Sequence, residues 1–317
     1  MSGPSAPLRI AFFGSGAFAV PPLKALLDAQ ANVVLVVTSP PAKSGRGRKL
    51  SETSVASLAR ERDLSILEAA QVNDHENLEI IEKSQPEILV VVAFRGFLGQ
   101  KLISLGYTPP INIHPSLLPR HRGPAPVNWT LIHGDQECGV SVCFVTLKID
   151  SGNVLARRSL PTPRGVGAGE LEARLSEIGA QMLLEVVESV KQDALKPEAQ
   201  DESSATMNRL LTKADGLVDF GLPAGRLASL INGVDPWPGA QARLNGKTVK
   251  LARALAVVGP GRAAPGEIVG LDDQGLLLVG AGDGLVKIGL LQVEGGARLP
   301  AAEFLRGRRA GKFESLA

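Results

Sequence analysis

The sequence predicts an α/β fold with a doubly wound, mostly parallel, Rossmann-like sheet, followed by a small C-terminal β-barrel of the OB-like kind. Three observations lead to this prediction. Apolar, β-branched runs alternate with helical patterns over the first half, which is typical of parallel strands covered on both faces. A polar stretch at 195–206 separates this half from the remainder. Short strand-like runs between glycines then follow, which is typical of a small barrel.

The first half alternates strands with helices. Strands are predicted at seven apolar runs. The first starts at residue 8 and leads into a glycine turn. The others lie at 32–39, at 64–69, at 86–94, within 108–116, at 138–150 and at 153–161. Helices are predicted where apolar residues recur at helical spacing: at 21–30, from an N-cap near Ser51, and at 75–84, 99–105, 127–135 and 168–194. The second half continues with strands predicted at 247–258, 266–272, 275–282 and 284–295.

The length of 317 residues favours two domains, each able to bury its own core. We therefore expect a catalytic domain at 1–194, a linker at 195–206 and a barrel domain at 207–317. Charge is spread unevenly, because residues 1–205 carry a net −2 and residues 206–317 a net +4. A mildly basic second half is compatible with binding a polyanion, although ordinary surface charge explains it equally well.

Composition excludes several classes of protein. No run approaches the roughly 18 apolar residues of a membrane span, and the N-terminus lacks the basic region of a signal peptide. Free thiols are expected at Cys138 and Cys143. The four histidines are too scattered to suggest zinc, so we expect no metal. A cytoplasmic location follows as the expectation.

The motif GSGAFA at 14–19 follows the first strand and matches the dinucleotide pattern G-x-G-x-x-A. An acidic partner for the ribose is expected near the end of the second strand, where the chain has Thr38, Ser39 and Pro40. A nicotinamide cofactor is therefore disfavoured. Glycines that merely permit a tight turn from strand to helix explain the motif as well.

The stretch INIHPSLLPRHRGPAP at 111–126 carries the clearest chemistry. Asn112 and His114 share one face of a strand, because side chains alternate with period two. Both lie at the carboxyl end of the sheet, where doubly wound folds bind ligands. Such a pair can stabilise the negative charge of a tetrahedral intermediate. Asp150, predicted at the end of the strand at 138–150, is the candidate that orients the imidazole. A structural histidine and a turn-forming aspartate explain the same residues, so spacing alone leaves both interpretations open.

This stretch resembles a signature of formyltransferases that use 10-formyltetrahydrofolate. The signature is N-x-H-x-S-L-L-P-x-x-R-G-x-x-P, here from Asn112 to Pro126, and D-S-G follows at 150–152. The resemblance extends over nearly the whole chain and is fullest with members that formylate methionyl initiator tRNA. Its further parts are FFGSGAFA, the basic loop PPAKSGRGRKL at 40–50, LTKADGLVDF at 211–220 and INGVDPWPGA at 231–240.

The resemblance implies transfer of the formyl group of 10-formyltetrahydrofolate to the α-amine of methionine on initiator tRNA, for translation initiation. Asn112, His114 and Asp150 are then the catalytic residues, and no metal takes part. The residues implied in folate binding are Ser116, Leu117, Leu118, Pro119, Val91, Ala93, Phe94 and Phe97. Those implied in tRNA binding are Arg46, Arg48 and Lys49, together with the C-terminal barrel. A monomer that does not bind membranes is expected.

Two positions depart from the family pattern. Arg95 stands in VAFRGFL where the family has a different residue, and Pro115 follows His114 where glycine or alanine is common. The main competing function is a sugar-nucleotide N-formyltransferase, such as one acting on UDP-aminoarabinose, which has a similar site but generally lacks the basic loop. Glycinamide ribonucleotide formyltransferase lacks a second β domain. A non-catalytic RNA-binding protein leaves the three candidate catalytic residues unexplained.

Overall fold

The computed structural model describes residues 7–44, 49–259, 263–306 and 311–316. It divides into two compact units, and each is made of several chain segments. The first unit comprises Met1–Gly123, Gly139–Ser159 and Ala173–Met207, and the second comprises Pro124–Cys138, Leu160–Glu172 and Asn208–Ala317. Within the described residues, no helix combines the length and apolar character needed to cross a membrane.

Strands and helices largely alternate along the described part of the first 191 residues, as the sequence predicts. Their bounds are β1 Arg9–Gly14, α1 Val20–Asp28, β2 Asn32–Thr38, β3 Ala42–Ser44, β4 Lys49–Ser51, α2 Ser54–Glu61, β5 Ile66–Glu68, α3 His75–Lys83, β6 Ile88–Val92, α4 Gln100–Ile103, β7 Ile111–His114, α5 Pro126–His133, β8 Glu137–Phe144, β9 Val154–Pro161 and α6 Ala168–Lys191. The exceptions to the alternation are the run β2, β3, β4 and the pair β8, β9.

The large sheet has the strand order β5-β2-β1-β6-β7-β8-β9. The pairings from β5 through β7 are parallel, whereas β7 and β8 pair antiparallel. Residues Ile10 to Phe13 and Ile88 to Val90 are fully buried, because the parallel strands are covered on both faces. Gly14 ends β1 where a Cβ atom would lie 2.8 Å from the Cβ of Ala19. This close approach accounts for the first glycine of GSGAFA.

A strand boundary and a helix boundary predicted in the first half of the chain differ clearly from the structure. The strand predicted at 138–150 ends at Phe144, because the chain then loops and returns at Asn153, whose carbonyl accepts from the N–H of Phe144 at 3.0 Å. Leu147 and Ile149, which imitate an alternating strand pattern, are exposed. The N-cap predicted near Ser51 is Thr53, whose hydroxyl accepts from the N–H of Ala56 at 3.0 Å.

The segment 195–206, for which the sequence predicts a linker, runs along the first unit. Val154 and Glu198 exchange two backbone hydrogen bonds of 2.8 Å. The N–H of Arg122 donates to the carbonyl of Thr206 at 2.9 Å. The prediction sets 195–206 apart as a linker, whereas the compact units place this segment within the first unit. Its backbone is attached to that unit, although many of its side chains face solvent.

The second unit is built on an antiparallel sheet. Its further elements are α7 Ala224–Gly233, β10 Ala240–Leu244, β11 Lys247–Val258, β12 Ile268–Leu271, β13 Leu277–Gly280, β14 Gly284–Val293, β15 Arg298–Pro300, α8 Ala301–Leu305 and β16 Phe313–Glu314. The strand order is β12-β13-β14-β11-β10-β16, with β15 beside β14. An antiparallel bridge between Glu267 and Lys312 joins residues next to the two edge strands, so the sheet curls back toward itself. The predicted fold class is confirmed.

Helix α5 belongs to this second unit and packs on α7. Ile132 is part of the same buried cluster as Leu227 and Ile231. The side chain of Asn128 donates to the carbonyl of Gly233 at 2.7 Å. At Gly233 a Cβ atom would lie 2.5 Å from the side chain of Ile132, so the helices cross at a residue without a side chain. The core of the second unit therefore includes residues far apart in sequence.

Candidate active site

Asn112 and His114 lie at the carboxyl end of β7, near the middle of the large sheet. The intervening Ile113 is buried against α6, where a Cβ atom at Gly179 would lie 2.7 Å from it. Because Ile111 and Ile113 point into the core, Asn112 and His114 share the opposite face, as the alternation predicts. Asn112 is half-buried and His114 is buried.

The imidazole of His114 lies between two oxygen atoms. Its Nε2 is 2.9 Å from the carbonyl oxygen of His121. A carbonyl oxygen only accepts, so Nε2 carries the hydrogen in this arrangement. Its Nδ1 is 3.6 Å from Oδ2 of Asp150, slightly beyond a hydrogen bond. The ring is therefore fixed by a backbone carbonyl on one side and faces a carboxylate on the other.

The carboxylate of Asp150 meets Asn112, His114 and the backbone of the following loop. Oδ1 accepts from Nδ2 of Asn112 at 3.4 Å, and Oδ2 accepts from the N–H of Gly123 at 2.8 Å. Asp150 lies in a turn with φ of +48°, which is uncommon for a residue with a side chain. The structure thus brings the three candidate catalytic residues together, although Asp150 reaches them from a loop and not from the end of a strand.

Cys143 lies directly opposite Asn112 in the pairing of β7 with β8. Burial, followed by the negative charge of Asp150, raises the pKa of its thiol well above the usual range. With its pKa raised, the thiol of Cys143 stays neutral at physiological pH. Because the thiolate is the nucleophilic form of cysteine, Cys143 is not an activated nucleophile. It packs against Leu118 and Val154, and the site offers no activated sulfur at this position.

The segment from Ser116 to Pro119, implied in folate binding, is fixed by the strand beside it. The hydroxyl of Ser141 donates to the carbonyl of Ser116 at 2.7 Å and accepts from the N–H of Leu118 at 3.0 Å. The carbonyl of Leu118 accepts from Nε of Arg157 at 3.0 Å. Leu118 is buried and both of its backbone groups are already hydrogen-bonded, so the half-buried Leu117 and Pro119 are the members of this segment open to a ligand.

The second segment implied in folate binding follows β6. The side chain of Val91 is buried in the core, and Ala93 adopts a positive φ of +46° just after the strand ends. Phe94 packs edge-on against Phe13, with ring centroids 5.6 Å apart. Phe97 is exposed, and its carbonyl accepts from the side chain of Asn73 at 2.7 Å.

Arg95 is exposed in this segment, so its side chain is not part of the core. Pro115 is half-buried, directly after His114.

Of the three residues implied in tRNA binding, Arg46 and Arg48 lie outside the described residues. The backbone of Lys49 begins β4, which pairs with β3 in a short hairpin. The sequence predicts only a polar loop there.

Sequence reasoning did not identify several groups around Asp150. The carbonyl of His121 and the N–H of Gly123 are backbone groups, and no side-chain pattern indicates them. Ser141 sits within a β-branched run and looks like an ordinary strand residue. Gln200 donates hydrogen bonds to the carbonyls of Asp150 and Gly152, at 2.9 and 2.7 Å. Its position in a polar segment gave no signal of this contact.

A search of the described residues for groups of three or more His, Cys, Asp or Glu side chains that could hold a metal ion finds none. The described site brings together an amide, an imidazole and a carboxylate, supported by backbone groups. Such a set can stabilise an oxyanion and transfer a proton.

Comparison with known proteins defines the class. The family model described as "Formyl transferase" matches residues 8–187, and the model described as "Formyl transferase, C-terminal domain" matches residues 210–309. The chain belongs to the formyl transferase family. A methionyl-tRNA formyltransferase of Geobacter sulfurreducens is 41% identical over 302 residues, which cover 95% of this chain and 94% of that one.

Other relatives carry the same name. The methionyl-tRNA formyltransferase of Citrifermentans bemidjiense is 36% identical over 95% of this chain and 93% of its own length. That of Roseiflexus is 37% identical over 98% of this chain and 95% of its own length. The predicted family resemblance is thereby confirmed.

Solved structures share the fold at lower identity. HypX from Aquifex aeolicus, in complex with tetrahydrofolic acid, aligns with a TM-score of 0.64 and 20% identity over 95% of this chain. This chain spans about half of that one, 47% of its length. An N-formyltransferase from Helicobacter canadensis, in complex with folinic acid and dTDP-3-aminofucose, aligns with a TM-score of 0.66 and 15% identity over 89% of this chain and 98% of its own.

Proposed function

We propose that the protein transfers the formyl group of 10-formyltetrahydrofolate to the α-amine of methionine esterified to initiator tRNA. The observation that carries the proposal is the convergence of Asn112, His114 and Asp150 at the carboxyl end of β7, in a chain whose relatives at 35–41% identity are named methionyl-tRNA formyltransferase. Family models that match both parts of the chain add support, because the C-terminal part is then the expected tRNA-binding domain.

The proposed reaction forms one C–N bond and breaks another. The free α-amine attacks the formyl carbon on N10 of the folate, and the formyl oxygen gains the negative charge of a tetrahedral intermediate. Asn112 and protonated His114 stabilise this oxyanion. Asp150 orients the imidazole and accepts the amine proton, directly or through water. The oxyanion then re-forms the carbonyl, the bond to N10 breaks, and N10 receives the proton that Asp150 took from the amine as the tetrahydrofolate leaves.

The contacts around Asp150 are long, at 3.4 Å to Asn112 and 3.6 Å to His114. Catalytic hydrogen bonds are often long without substrate and shorten when substrate binds. The proposal also requires that an N–H of His114 turn toward the formyl oxygen. The hydrogen bond from Nε2 to the carbonyl of His121 would then be exchanged for one to the substrate.

For the formyl donor, we propose contacts with the two segments that flank the end of β7. Ser116 to Pro119 would line the folate on one side. The backbone of Val91 to Phe97 would hold the pterin. Strand β6 ends at Val92, and beyond it Ala93, Arg95 and Phe97 are exposed, whereas Phe94 and Gly96 are half-buried. Donors and acceptors of the backbone suit a pterin ring, which carries both kinds of hydrogen-bonding group along its edge.

For the acceptor, we propose that Arg46, Arg48 and Lys49 hold phosphates near the acceptor end of the tRNA. Such contacts position a nucleic acid without reading its sequence. The net charge of +4 on residues 206–317 suits a second contact by the C-terminal barrel. We also propose a cytoplasmic monomer that works without a metal.

The test offers the purified protein 10-formyltetrahydrofolate with methionyl initiator tRNA and with UDP-aminoarabinose, in parallel reactions. We expect formylation of the charged tRNA only. Uncharged initiator tRNA is the matched control, because it lacks the aminoacyl amine. Formylation of the UDP-aminoarabinose alone would support formyl transfer at this site and would contradict methionyl-tRNA as the acceptor. Transfer to neither acceptor would overturn the proposed function.

A further inference from the structure

Gln200 uses its whole amide group to join two loops of the first unit. Its Nε2 donates to the carbonyl oxygens of Asp150 and Gly152, at 2.9 and 2.7 Å. Its Oε1 accepts from Nε and Nη2 of Arg122, at 3.1 and 2.9 Å. Gln200 thus binds two parts of the site. One is the turn that presents the carboxylate of Asp150. The other is Arg122, which precedes Gly123, and the N–H of Gly123 donates to that same carboxylate.

Arg122 is held from its other side by an acidic residue. Its side chain is 3% exposed and contacts Glu202, with Nη2 to Oε1 at 2.6 Å. Lys148 also donates to Glu202, at 2.6 Å. Hydrogen bonds from Arg122 and Lys148 lower the pKa of Glu202 to about 2, so this partner is ionised at neutral pH. The buried guanidinium therefore has a counter-ion and a fixed position.

The turn at Asp150 lies beyond the end of β8, and hydrogen bonds from the loop itself and from Gln200 hold it. β8 ends at Phe144, and Asp150 follows six residues later with a positive φ of +48°. Hydrogen bonds within the loop hold the end of the turn, from the N–H of Phe144 to the carbonyl of Asn153 and between the hydroxyls of Thr146 and Ser151, both at 3.0 Å. Gly152 lies so close to the backbone of Phe144 that a Cβ atom would be 2.0 Å from the carbonyl oxygen, and Gln200 binds the carbonyls on either side of Ser151.

We infer that Gln200 is a positioning residue for formyl transfer, which sets the carboxylate of Asp150 relative to Asn112 and His114 through its bonds to the carbonyls of Asp150 and Gly152. The inference rests on the proposed function, since it assigns Asp150 a part in the reaction. Gln200 touches neither substrate in this assignment. Gln200 affects the rate of the chemical step, because a displacement of about 1 Å at a reacting group can lower the rate on the order of 100-fold.

The test compares two substitutions at one position with a matched control. Gln200→Met keeps the length of the side chain and removes both donors. Gln200→Glu keeps an acceptor for Arg122 and sets a carboxylate oxygen against two carbonyl oxygens. Gln181→Glu makes the same chemical change on the exposed surface of α6, where Gln181 accepts from Arg158 at 3.2 Å.

We expect both variants of Gln200 to lower kcat by about 10- to 100-fold, with KM for 10-formyltetrahydrofolate and for methionyl-tRNA within about twofold of the wild type. Gln181→Glu should match the wild type in all three constants. Melting temperatures measured for every variant separate a loss of rate from a loss of folding.

A kcat within twofold of the wild type in folded Gln200→Met overturns the inference. It also fails if both variants unfold at the assay temperature, or if KM rises as far as kcat falls, because the contacts then serve folding or binding. If the wild type formylates no tRNA, the proposed function fails separately. Crystal structures of the wild type and Gln200→Met then decide, since an unmoved Asp150 carboxylate overturns the positioning role and a displaced one supports it.

Discussion

Replacement of Ser141 by alanine tests whether the strand beside the site holds the proposed folate segment in place. Ser141 is fully buried, and its hydroxyl both donates to the carbonyl of Ser116 and accepts from the N–H of Leu118. These two backbone groups lie within the segment from Ser116 to Pro119. Ser141→Ala removes both hydrogen bonds and leaves a donor and an acceptor without their partner.

The structure sets the size of the effect. Each hydrogen bond contributes roughly 1 kcal/mol net, and an orphaned buried polar group costs about 1–3 kcal/mol. Ser116 and Leu118 are 1% and 2% exposed, so water does not readily replace the lost hydroxyl. We therefore expect the free energy of unfolding to fall by about 2–5 kcal/mol. We also expect KM for 10-formyltetrahydrofolate to rise more than kcat falls, because the proposal assigns this segment to binding of the donor and not of the reacting amine.

Urea denaturation and steady-state kinetics measure the two effects. Ser189→Ala is the matched control, since Ser189 donates one hydrogen bond of 2.9 Å to the carbonyl of Glu185 near the surface of α6. That substitution should change the free energy of unfolding by less than about 0.5 kcal/mol. The reasoning is refuted if Ser141→Ala behaves like the control in both assays.

Asn112→Ala and His114→Ala should each lower kcat by about 100- to 1,000-fold, as expected for loss of an oxyanion donor, while folate binding changes little; near-wild-type turnover in single-turnover assays would contradict their assignment. Arg46→Ala should flatten the salt dependence of KM for tRNA, and an unchanged slope would exclude the phosphate contact. The pKa of Glu202 is lowered to about 2 from its ordinary value of 4.5, so the stability that its ion pair with Arg122 contributes is fully present above about pH 4.5 and is lost as the pH falls toward 2. Glu202→Gln should therefore lower the urea midpoint at pH 6 and much less at pH 3, and equal losses at both would argue against this ionisation.

The elements that the sequence predicts well are those whose signal is local. The run from Ile88 to Val92 is apolar throughout and forms a buried central strand. Asn112 and His114 share a face because alternation along a strand depends only on the backbone. The family signature then links these residues to a reaction, which no hydrophobic pattern does.

The remainder depended on contacts between distant segments. Leu147 and Ile149 alternate with polar residues as in a strand, but the close approach of Gly152 to Phe144 requires a loop there. Gln200 belongs to a polar segment whose composition indicates a linker. Its hydrogen bonds to a turn 50 residues earlier arise from the tertiary fold. The motif at 111–126 therefore identified the chemistry of the site, whereas the polar composition of 195–206 gave no signal of the side chain that supports it.

The membership of α5 in the second unit has a consequence for synthesis on the ribosome. Ile132 and Trp129 pack on a cluster that includes Leu227 of α7. At roughly 5–20 residues per second, the intervening chain takes on the order of 5–20 s to be made. During that interval the apolar side of the nascent helix has no native cover, which makes it a natural binding site for a chaperone. A truncated product that stops at residue 194 would keep this surface open permanently and should aggregate.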